Sequence, residues 1–113
     1  MRPRRDSDND VFQAIAHPAR RAMLAELSRG ERAASVLAEP FGMSMPAISQ
    51  HLRVLLEAKL VAERRDGRRR IYRLQPAPLR EVVGWLDEFR VFFEARLDAL
   101  GDYLDRKHPK AKR

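Results

Sequence analysis

The chain has 113 residues and a formal charge of +7, enough for one domain with one modest core. It contains no cysteine, which excludes disulfides and thiolate metal ligands. No apolar run suits a membrane span or a signal-peptide core, so a cytoplasmic protein with no membrane partner is expected. Its charge is sorted: Ser44 to Gln75 carries eight Lys/Arg against three Asp/Glu, whereas Leu79 to Asp105 carries three against seven, as expected of a module facing an anionic partner and joined to an element that does not.

Residues 1–9 are polar, with arginines first and aspartates after. A solvated, disordered arm is favoured there over a basic arm entering a minor groove. Helical periodicity begins at Asp10 with Val11, Phe12, Ile15 and Ala16 and stops at His17-Pro18, because proline disfavours a helical residue before it and suits the first position of a new helix. The spacing predicts a second helix from Pro18 to about Ser28, stopped by Gly30, with Ala22, Met23, Leu24 and Leu27 inward. His17 is expected as a cap or linker. A short third helix is predicted over Ala33 to Glu39 with Val36 and Leu37 inward, ended by Pro40, and Phe41-Gly42-Met43 then turns the chain.

The fourth predicted helix, residues 44–58, organises the rest. Ser44 is a good N-cap for the amide of Ala47, and Pro46 falls in the first turn, where its missing N–H is harmless. At 100° per residue, Ile48, Leu52, Leu55 and Leu56 share one side. The other side presents Pro46, Ser49, Gln50 and Arg53, short and polar early in the helix, where small and amide side chains reach base edges. A helix, a short glycine-containing turn and a capped helix make the helix-turn-helix arrangement, whose second helix lies in the major groove. Ser44, Met45, Pro46, Ala47, Ser49, Gln50 and Arg53 are the candidate contacts, with Met45 suited to a thymine methyl. His51 is expected to be half-buried beside the apolar side.

Two short extended runs across 61–74, with Asp66-Gly67 between them, predict a β-hairpin. Five of the seven residues from Arg64 to Arg70 are arginine. On a hairpin directly after such a helix they read as a wing, with Arg64, Arg68, Arg69 and Arg70 taking phosphates. Beyond Pro76 and Pro78, a helix of about 40 Å is predicted from Leu79 to Asp105. Its stripe of Leu79, Val82, Leu86, Phe89, Phe93, Leu97, Leu100 and Leu104, flanked by Trp85, exceeds what one small core can cover, so a second copy of the chain is expected on it. Residues 106–113 form a basic tail.

Ala16-His17-Pro18-Ala19-Arg20-Arg21, Met43 through Leu55, Leu60-Val61, and Gly67-Arg68 followed by Tyr72-Arg73-Leu74 resemble the ArsR/SmtB winged helix-turn-helix repressors. The resemblance runs from about Val11 to Leu104. It implies a mainly α fold of about five helices with a small β-hairpin wing, and a homodimer repressing through a palindromic operator in double-stranded DNA. The implied interface lies on the first and last helices, at Val11, Phe12, Ile15, Trp85, Leu86, Phe89, Phe93, Leu97, Leu100 and Leu104.

Where family members that sense metals carry cysteines in the third helix, this chain has Ala33 and Ser35, and the predicted last helix has no histidine. A metal-independent branch is expected, with no cofactor and no inducer legible, although an apolar pocket between first and last helices for an unknown small molecule stays open. Lys59 stands where the family usually has glycine. The rival reading is a winged helix binding protein or RNA without operator specificity. No nucleophile, phosphate loop or histidine–carboxylate motif supports an enzyme.

Overall fold

The computed structural model describes residues 11–94. The expected arm 1–9, the tail 106–113 and Leu97, Leu100 and Leu104 lie outside the described residues. The chain divides into two units, one ending at Val82 and the other beginning at Val83. Residues 11–14 are the described part of α1. Then follow α2 (Pro18–Leu27), β1 (Arg32–Ala33), α3 (Ala34–Ala38), a 3-10 turn (Glu39–Phe41), α4 (Met45–Glu57), β2 (Val61–Asp66), β3 (Arg69–Leu74) and α5 (Leu79–Asp87). Residues 90–94 are the described part of α6.

The predicted boundaries follow from local chemistry. His17 is extended at φ −100° and caps α2, its Nδ1 accepting from the Ala19 amide at 3.1 Å, while Pro18 occupies the first turn. Gly42 supplies the left-handed residue, φ 64°, that turns the chain between α3 and α4. Ser44 caps α4, its Oγ accepting from the Ala47 amide at 3.3 Å.

At the other end of α4, Lys59 is left-handed, φ 64°. Its amide donates to Leu56 O and that of Leu60 to Leu55 O, both at 3.0 Å, the paired bonds of a Schellman motif. Leu55 and Leu60 are buried beneath it. A lysine held there strains its Cβ, so Lys59→Gly is expected to stabilise by about 1 kcal/mol and raise the melting temperature by about 4–8 °C. A lower melting temperature in that variant would contradict this.

Ile48, Leu52 and Leu55 of α4 are completely buried and meet Met23, Leu27, Leu37, Leu60, Val61 and Tyr72 in the core. Three details differ from the sequence reading. In α2, Ala19 rather than Ala22 lies inward, because the start at Pro18 aligns Ala19, Met23 and Leu27 at four-residue steps. In α3, Ala34 and Leu37 face the core and Val36 is exposed; five residues give one turn and a single inward pair. Val11 is 1% exposed and belongs to the core of its own chain, not to a contact surface. Phe12 stays exposed on the next position round the helix.

The sheet is antiparallel in the order β1-β3-β2. Strand β1 has no counterpart in the sequence reading, since two residues carry no alternation; it exists because Arg32 and Ala33 pair with Tyr72 and Ile71. The hairpin forms one residue later than expected. Asp66 pairs with Arg69, so Gly67 and Arg68 make the turn. Gly67 has φ 67° and Arg68 a negative φ, the signs of a type II′ turn with glycine first.

In the second unit the expected continuous helix breaks. Glu88 N donates to Trp85 O and Phe89 N to Leu86 O, both three residues back, so the chain tightens at residues 88–89 before α6. Gly84 and Asp87 are weak helix formers just ahead of the break, and the apolar stripe that predicted continuity persists across it. Arg90 bridges the gap, bonding Asp87 on one side and, at 2.9 Å, Glu94 on the other.

Candidate nucleic-acid interface

Burying Ile48, Leu52 and Leu55 turns the opposite side of α4 outward. Ser44, Met45, Pro46, Gln50 and Arg53 are exposed, and Ala47 and Ser49 are half-buried at the edge. The Ser44 cap fixes where the helix begins, and with it the angle at which these first-turn side chains project.

The wing adjoins this surface. Arg70 Nη2 donates to Ser49 Oγ at 3.3 Å, linking β3 directly to α4. The same guanidinium stands 5.8 Å from the Tyr72 ring centroid and 3.7 Å from Glu63 Oε2. Tyr72, whose hydroxyl donates to Glu63 at 3.4 Å, has its phenol pushed above the ordinary value chiefly by burial. A recess of about 210 Å³ runs between the wing tip and the starts of α3 and α4, lined by Ala33, Ala34, Ser35, Met45, Arg68, Arg69 and Arg70. Helix start and wing tip therefore form one surface.

The four predicted wing arginines are not equivalent. Arg68 and Arg69 are exposed at the tip, and no bonded partner engages them among the described residues. Arg70 is half-buried and braces the wing against α4. Arg64 departs from the expectation: its Nη2 bonds Glu31 Oε1 at 2.7 Å. That bond and the charge behind it hold the Glu31 carboxyl below the usual carboxylate range and raise the guanidinium.

Two residues were missed by sequence reasoning. Glu31 gave no signal, because its pairing with Arg64 depends on the β1 edge. Arg65 was legible: it is exposed and stands directly across from Arg70 in the ladder. Like charges placed opposite one another destabilise a hairpin, and the Glu63 carboxylate, 3.7 Å from Arg70, offsets this on one side of the pair. From the end of α5 through the break to α6, Val83, Trp85, Leu86, Phe89 and Phe93 are all exposed, Trp85 at 49%, and Trp85 and Phe89 meet edge to face at 5.3 Å.

An exposed, capped helix braced by a basic hairpin defines the first unit as a winged helix-turn-helix domain. A family profile described as a helix-turn-helix domain matches residues 15–64. The HTH-type transcriptional regulator Rv2034 of Mycobacterium tuberculosis is 42% identical over 83 residues, covering 74% of this chain and 78% of that protein. The transcriptional repressor SdpR of Bacillus subtilis is 37% identical over 81 residues, covering 72% and 90%. The solved structure of the ArsR family transcriptional regulator RHA00566 superposes with a TM-score of 0.71 at 35% identity, covering 83% of this chain and 97% of that one. The chain belongs to the ArsR/SmtB family of transcriptional regulators, and these relatives are regulators, not enzymes.

Proposed function

We propose that the protein is a homodimeric, sequence-specific DNA-binding repressor acting on an inverted-repeat operator, without a regulatory metal. The observation that carries this reading is the Arg70–Ser49 bond, which joins an arginine wing to the exposed start of α4. The helix enters the major groove with Ser44, Met45, Pro46, Ala47, Ser49, Gln50 and Arg53 at the base edges. Arg65, Arg68 and Arg69 take phosphates on either side. The exposed apolar side chains Phe12, Trp85, Leu86, Phe89 and Phe93, with half-buried Ile15, support a dimer. The lack of cysteine leaves no thiolate ligand for a metal switch.

The division of labour is testable by duplex binding across several salt concentrations. Gln50→Ala is expected to relax sequence preference with an unchanged salt slope. Arg69→Ala is expected to weaken all duplexes alike and lower the slope by about one for each chain of the dimer. Arg64→Ala lowers it by less, because a phosphate must first displace Glu31. Equal losses of specificity from the Gln50 and Arg69 variants would defeat the assignment, and wild-type binding equal for all duplexes would favour a protein- or RNA-binding module.

A further inference from the structure

His51 takes no part in this interface. It is half-buried on α4, its ring centroid 4.5 Å from that of His17 and its Nδ1 3.1 Å from Arg20 Nη1. The other nitrogens of Arg20 reach back to the first helix: Nε donates to Ala14 O at 2.7 Å and Nη2 to Gln13 O at 3.0 Å. One guanidinium thus closes the last carbonyls at the end of α1 and grips the recognition helix.

That grip depends on protonation. A guanidinium has donors only, so His51 completes the bond only as a neutral ring carrying its proton on Nε2. The imidazolium sets N–H against N–H and a second positive charge beside the first. The titratable or charged groups acting on His51 are His17 and Arg20, both from the start of α2 and neither acidic. Burial first, then these two, hold the ring below its ordinary value of 6.5.

We propose that Arg20 is a positioning residue for the recognition helix, and that protonation of His51 releases its grip and with it operator affinity. The inference rests on the DNA-binding reading above. In a dimer held through Phe12 and Ile15, the spacing of the two recognition helices depends on how firmly each is tied to its own α1, and an inverted repeat demands one spacing. Because the folded value is lowered, the contribution of the neutral ring is full above about pH 6.5 and is lost as pH falls through the lower value of the folded protein. A histidine that merely touched phosphate would act in the opposite sense, binding tighter on acidification.

The test is operator affinity by anisotropy at constant ionic strength from about pH 7.5 down to about pH 5.5, alongside NMR titration of His51 in the free protein. Wild-type affinity is expected to fall by up to about tenfold per pH unit for each His51, up to about a hundredfold for the dimer, below the His51 titration. His51→Asn, whose amide oxygen stands where Nδ1 does and accepts the same bond but takes no proton, should bind at neutral pH and give a flat profile. Arg20→Gln should bind more weakly at neutral pH, converge with the wild type below the His51 titration, and return that titration toward its ordinary value. Tighter binding on acidification, or an unchanged profile in His51→Asn, overturns the proposal. If no operator preference is seen at neutral pH, the DNA reading fails, and the NMR arm still decides the positioning contact: an unmoved His51 titration in Arg20→Gln refutes it.

Discussion

Replacing Arg68 and Arg69 together by alanine is expected to weaken binding to every duplex alike and to lower the slope of log affinity against log salt by about two for each chain, nearly four for the dimer. Each phosphate neutralised on duplex DNA releases about 0.9 of a counterion. Both guanidiniums are exposed at the wing tip, with no bonded partner among the described residues to displace. Across a rise from about 50 to about 200 mM salt, the dimeric variant should therefore lose about a hundredfold less affinity than the wild type. Sequence preference should survive, since neither residue lies on α4. An unchanged slope would show that the tip stays in solvent, and a loss of preference would show that it reads bases.

Leu52→Ala is expected to destabilise the fold by about 2–5 kcal/mol, a large share of a total stability on the order of 5–15 kcal/mol. Leu52 is 0% exposed, between Ile48 and Leu55 on the inward side of α4. Alanine is the better helix former, so the loss comes from the cavity and not from the helix. Gln50→Ala, two residues earlier on the outward side, should leave the stability within about 0.5 kcal/mol of the wild type. Comparable destabilisation by both would mean that α4 does not divide into a buried and a free side.

Much of the first unit was legible because its signals are local. Pro18 and Ser44 start their helices by rules acting within one turn, and the inward side of α4 follows from its period. What escaped depends on partners distant in sequence. Strand β1 and the Glu31–Arg64 pair exist only once β3 lies beside β1, and the Arg20–His51 bond spans 31 residues. The hairpin turn was displaced by one residue because Asp-Gly favours a turn of either register. Pairing Asp66 with Arg69 places Tyr72 opposite Glu63 and lets Ile71 and Tyr72 be buried. The break at residues 88–89 escaped for the opposite reason: an apolar stripe reports which side is greasy, not whether the backbone bonds beneath it are continuous.

Anisotropy titration of the wild-type protein on duplex from its own upstream region, with a scrambled duplex as competitor, asks most directly whether this winged helix reads sequence. The predicted result is a preference of about a thousandfold or more for the upstream duplex, saturating at two chains per site. Weak, steeply salt-dependent binding that treats both duplexes alike would contradict it and leave the wing arginines as a general anion surface.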